Sequence, residues 1–180
     1  MYDRYLVPVG MLLYIVPYAY LCYFPFGDKL RISKIKLILL LSFFTVAQFA
    51  FYYFNGTMSH NLFKLSFYSW LSIYLCTYLL TVRESFSKLF YVFLLIVNYA
   101  GVLINVSKSF DTYFFPNTLH ENGFSMRFIH IFFFFLAVTF PIAMFFYKKS
   151  ISLLNRTDKV IWKKLWIIPL SFDITIIVFT

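Results

Sequence analysis

The chain has 180 residues, of which 62% are hydrophobic, 24% aromatic and only 13% charged. A soluble domain holds roughly 45–50% apolar and about 25% charged residues, so one small core cannot hide this much apolar surface. That excludes a soluble single domain and a disordered chain, and two cysteines are too few for a disulfide scaffold.

The net charge of +9 invites a nucleic-acid reading, but no DNA- or RNA-binding motif is present. Basic loops that orient a membrane protein and touch anionic headgroups account for the charge. The expectation is an all-α, polytopic transmembrane helix bundle with the lipid bilayer as partner, no nucleic acid, and residues 1–180 forming one transmembrane domain.

Transmembrane helices need roughly 20 apolar residues, and the charged residues cut the chain into six such runs. The first, 5–26, has Arg4 as the only basic residue before it and no A-x-A cleavage site after it, which predicts a permanent span rather than a signal peptide. Pro8, Pro17 and Pro25 lie in it or at its end; Pro17 is placed to bend it, as Pro141 and Pro169 are in later runs.

The second run, 37–54, carries Ser42, Thr45, Gln48 and Tyr52 on one helical face. Asn55-Gly56-Thr57 after it matches a glycosylation sequon. The third, 65–82, carries Ser69, Ser72 and Cys76, with a small-xxx-small spacing that lets backbones approach. The fourth, 89–107, has Tyr91, Asn98 and Asn105 seven apart on one face. All three polar stripes are expected to face the bundle interior, where helix–helix hydrogen bonding or ligand contact would satisfy them.

Segment 108–127 gathers aromatics with Asp111 and Glu121 and suits either an extracellular ligand or the headgroup belt. The fifth run is 128–147. Segment 148–164 mixes six basic residues with Ile151, Leu154, Ile161 and Trp162, which suits a helix lying on the inner leaflet. The sixth run, 165–180, contains Asp173. An ionised carboxylate at mid-bilayer costs about 2.5–3.5 kcal/mol, so Asp173 needs a partner, a cavity, a ligand or a proton. The chain stops within Ile176-Ile177-Val178-Phe179-Thr180 without a basic flank, which predicts a piece of a longer protein.

Lys and Arg collect in cytoplasmic loops. Segments 27–36, 83–88 and 148–164 hold twelve of them and the alternate segments four. The N-terminus is therefore expected outside, and a cytoplasmic C-terminal domain would require a seventh helix after Thr180.

The candidate ligand-binding residues are Asp173, Gln48, Asn98 and Asn105. His60, His120 and His130 show no metal-ligand spacing, and no nucleophile set, P-loop or carboxylate pair marks catalysis or a cofactor. Cys22 and Cys76 are expected to be reduced.

The stretch Leu21-Cys22-Tyr23-Phe24-Pro25-Phe26-Gly27-Asp28-Lys29-Leu30-Arg31-Ile32 resembles the membrane sensor region of AgrC-like, GHKL-type bacterial sensor histidine kinases. There a first helix ends in an aromatic-Pro-Phe step and passes into a basic stretch. The resemblance implies a bacterial cytoplasmic membrane, sensing of a peptide, a small molecule or membrane stress, a homodimer, and ATP-dependent autophosphorylation in a kinase domain outside this chain. The family's phosphoacceptor histidine has no counterpart in the sequence. Two other readings stay open: a transporter or permease subunit with Asp173, Gln48, Asn98 and Asn105 lining a path, and a small membrane assembly factor. A transporter commonly shows internal repeats, and residues 1–90 and 91–180 show no self-similarity.

Overall fold

The computed structural model describes residues 3–55, 60–115, 126–156, 164–165 and 167–171. The elements are α1 (Asp3–Tyr23), a 3-10 turn at Phe24–Phe26, α2 (Lys34–Phe54), α3 (His60–Thr81), α4 (Phe86–Phe114) and α5 (Met126–Arg156). Residues 167–171 are helical as well. The fold is an all-α bundle; β pairing among the described residues is limited to one isolated bridge, Leu30 with Val82.

Local chemistry sets the helix ends. Pro25 closes α1 in the 3-10 turn, since its ring removes a backbone donor. Ser33 caps α2, its side chain accepting from the Lys36 amide at 3.4 Å. Asn55 ends α2, with its side-chain amide and its backbone N–H both donating to the Phe51 carbonyl. α4 runs on to Phe114, seven residues past the predicted span, because 108–114 contains neither Gly nor Pro. Pro116 then biases Phe115 away from helix. Likewise residues 148–156 continue α5 rather than begin a separate helix on the membrane surface. No helix breaker separates Tyr147 from Arg156.

Four helices are long and apolar enough to cross a membrane, over Pro8–Phe26, Lys34–Phe54, Phe86–Phe114 and Arg127–Lys149, which makes the chain an integral membrane protein. α3 has 22 residues, about 33 Å at about 1.5 Å per residue. Its serines and tyrosines leave it less apolar than the other four. Part of the sixth predicted run, 172–180 with Asp173, lies outside the described residues.

α1 packs against α2, α4 and α5, and α4 packs against α3 and α5. The core joins Leu21, Phe26, Tyr78, Val82, Leu89, Val92 and Phe132, all at most 3% exposed. The outward face of α2 is a continuous hydrocarbon stripe of Ile35, Leu39, Phe43 and Val46, each between 65% and 72% exposed. A soluble monomer does not carry such a patch; the stripe suits contact with lipid. Since lipid tails are as apolar as these side chains, close packing and interhelical hydrogen bonds hold the bundle together. Those bonds run from Tyr23 to Thr81, from Tyr52 to Ser66, from Tyr74 to Gln48 and from Tyr99 to Thr139.

Candidate functional site

A cavity of about 240 Å³ lies among α1, α2, α3 and α4. α4 contributes Phe93, Ile96, Val97, Ala100, Gly101 and Ile104 to its wall, spacings that fall on one helical face. α3 contributes a second face from Phe67 to Tyr78 that includes Trp70, Leu71 and Tyr74. α1 adds Tyr18, Ala19, Cys22 and Tyr23, while α2 adds Leu41 and Gln48. The walls are mostly hydrocarbon and aromatic ring, with small Ala19, Ala100 and Gly101 leaving the room.

Polar groups touch this space as well, Gln48 and Tyr78 among them. Gln48, 3% exposed, accepts from the Tyr74 hydroxyl at 3.0 Å and so ties α2 to α3. The Tyr78 hydroxyl, on a residue 1% exposed, has no hydrogen-bond partner among the described residues. Rings hold Tyr78 in place: Tyr23 edge-on at 5.2 Å, Phe26 at 6.2 Å and Phe93 stacked at 6.3 Å.

One end of the bundle carries a second constellation. The Tyr23 hydroxyl lies 3.0 Å from Thr81 Oγ1. The Thr81 carbonyl accepts from the Arg31 amide at 2.8 Å, and the Arg83 amide donates to the Lys29 carbonyl at 2.7 Å. These bonds stitch the α1–α2 loop to the α3–α4 loop. Glu84 locks the stitch, with Lys29 Nζ at 2.7 Å and Lys88 Nζ at 3.5 Å. Burial alone raises the Glu84 carboxyl, but the Lys29 hydrogen bond, the Lys88 charge and the Ser85 amide outweigh it and hold its pKa below the ordinary 4.5. Lys148 near the end of α5 sits 5.9 Å over the Phe24 ring. Basic residues from 27–36, 83–88 and 148–149 therefore meet at the same end.

The four candidate residues read from the sequence do not converge. Gln48 lines the cavity. Asn98 lies on another face of α4 and donates from its side chain to the Pro169 carbonyl at 2.8 Å, so it anchors the helical residues 167–171. Asn105 is half-buried and apart from the cavity wall. Asp173 lies outside the described residues.

The stripes of α2 and α4 bury Gln48 and Tyr52 and half-bury Tyr91, Asn98 and Asn105, although Ser42 is exposed. The α3 stripe is a correction: Ser69, Ser72 and Cys76 are exposed rather than turned inward. Ser69 and Ser72 donate to the carbonyls of Leu65 and Tyr68 in their own helix, which satisfies the hydroxyls without a neighbouring helix. α3 instead turns Tyr74, Thr77, Tyr78 and Thr81 inward. Tyr23, Tyr74, Tyr78 and Glu84 were not singled out from the sequence. Tyrosine is common throughout this chain, and Glu84 has only its place between Arg83 and Lys88 to mark it. Among the described residues, no three His, Cys, Asp or Glu side chains gather as a metal site.

No protein-family model, curated protein or solved structure matches this chain.

Proposed function

We propose that this chain is the transmembrane sensor region of a two-component signalling histidine kinase in a bacterial cytoplasmic membrane. Its N-terminus lies outside, and the kinase domain is a part of the protein beyond these residues. One observation carries the reading, a bonded path from the cavity to the basic end. Tyr23 lines the cavity and meets Thr81, the Thr81 carbonyl holds Arg31, and the loop of Arg31 carries the Lys29–Glu84 pair. A molecule that moves the cavity wall thus acts on the basic end of the bundle, which this reading puts in the cytoplasm. Packed, hydrogen-bonded elements are the kind of structure that carries coupling between sites. The transporter reading has less support. A path for a polar solute needs polar groups along it, and of the four candidates only Gln48 is on the cavity, already bonded to Tyr74.

The test uses membranes holding the complete gene product, incubated with labelled ATP. The expected result is acid-labile phosphate on histidine, with Tyr23→Phe shifting its signal dependence at normal abundance. Absence of ATP-dependent labelling, or solute uptake that scales with protein content, overturns the reading.

A further inference from the structure

We infer that the cavity is a binding slot for one hydrocarbon tail of a membrane amphiphile. This deepens the sensor reading by naming the chemistry its site takes. The shape comes first. On α4 the lining runs from Phe93 to Ile104 and on α3 from Phe67 to Tyr78, in each case about 16 Å along the helix at about 1.5 Å per residue. The space is elongated, and its length suits an extended hydrocarbon chain.

The chemistry agrees with the shape. Rings of Phe67, Trp70 and Phe93 and the hydrocarbon of Ile96, Val97 and Ile104 form the walls, and the Gln48 amide oxygen is already taken by Tyr74. No Asp, Glu, Lys or Arg lines the slot, so a charged headgroup stays outside it. Tyr68 lines the slot and is also 43% exposed, so the slot opens outward beside it. α2 and α3 make little close backbone contact and are tied mainly through side chains, Tyr52 with Ser66 and Tyr74 with Gln48, which leaves a seam for a tail to enter sideways from the bilayer. Trp70, in the wall, is a built-in reporter.

The test places the full chain in lipid nanodiscs with Trp162→Phe and Trp166→Phe, which leaves Trp70 as the one tryptophan of three. Brominated stearic acid is titrated in one arm and a phosphatidylcholine with one brominated tail in the other. The expected result is Trp70 quenching that saturates in at least one arm and is reversed by the unbrominated compound of the same kind. The arm that saturates identifies the source of the tail. Ala100→Leu, which fills the slot, weakens the saturable quenching at least tenfold. The competition experiment needs no variant in the slot, so a poorly folding Ala100→Leu protein leaves the result decisive. Quenching that rises linearly with mole fraction in both arms, as for plain contact with bulk lipid, overturns the slot whatever the signalling result. Saturable, competed quenching supports the slot; if kinase output then ignores the tail, the sensor reading alone falls.

Discussion

Tyr78 and Tyr23 are neighbouring rings with opposite hydrogen-bond states. The Tyr78 hydroxyl is buried without a hydrogen-bond partner among the described residues, whereas the Tyr23 hydroxyl meets Thr81. A buried, unsatisfied polar group costs about 1–3 kcal/mol. Tyr78→Phe is therefore expected to leave stability unchanged or raise it by up to about that amount, as read by thermal unfolding in detergent. Tyr23→Phe removes a made bond between helices and is expected to lower stability by about 0.6 kcal/mol, the average for such bonds in a membrane bundle. A larger loss for Tyr78→Phe than for Tyr23→Phe contradicts both assignments.

Glu84 gives a pH-dependent prediction of definite sign. Its pKa is lowered in the folded chain, so its contribution is fully present above the ordinary carboxyl value of 4.5 and disappears as pH falls through the lowered folded value. Hydrogen exchange at the Arg31 and Arg83 amides, corrected for its intrinsic pH dependence, is expected to show protection that is constant at neutral pH and falls in acid. Glu84→Gln is expected to show the reduced protection at every pH. Equal protection in the two proteins at neutral pH would show that the backbone bridge holds without the ion pairs.

At the scale of the element, α3 is the helix whose faces differ most from expectation. Its small and hydroxylic residues point outward, satisfied by their own carbonyls, and its tyrosines point inward. A thiol-labelling experiment reads this directly. Cys76 is exposed and Cys22 buried on the cavity wall, so a maleimide carrying a group too bulky for the slot is expected to modify Cys76 in the folded protein and Cys22 only after unfolding. Comparable rates at the two sites contradict an α3 that turns Cys76 outward. Length is the corresponding matter for α5. Its 31 residues extend about 46 Å at about 1.5 Å per residue, beyond a hydrocarbon core of roughly 30 Å. Residues 148–156, with Lys148, Lys149 and Arg156, form the helical extension rather than a separate surface helix.

For the whole molecule, the stitched loops turn a statistical charge count into a geometric statement. Arg31 and Arg83 lie beside the same bridge, and Lys148 reaches the Phe24 ring at the same end. Single cysteines at positions 31, 83 and 148, in a background with Cys22→Ala and Cys76→Ala, are expected to label together from the inner face of oriented membranes. Cysteines at 61 and 113 are expected to label from the other face. Labelling of positions 31 and 83 from opposite faces contradicts the fold itself. Labelling of all three from outside keeps the fold and inverts the proposed orientation.

Composition and the spacing of charges were sufficient for an all-α membrane chain and for the approximate place of each described helix, because backbone groups in lipid are satisfied within a helix and charges are expelled to its ends. The same residues are silent about which face of each helix turns inward. In water an apolar stripe marks the core, but in lipid both sides of a helix meet hydrocarbon, so hydropathy stops distinguishing inside from outside. Polar spacing was the remaining guide. It placed Gln48 and Tyr52 inward and failed for Ser69, Ser72 and Cys76, since a serine or threonine can bond its own helix and needs no neighbour. The pairing of Asn98 with the Pro169 carbonyl, 71 residues away, the joining of Lys29 to Glu84 across 55 residues, and the slot left beside Ala100 and Gly101 all depend on how the helices and residues 167–171 approach one another. No local pattern records that approach, because it is decided by the close fit of side chains between helices.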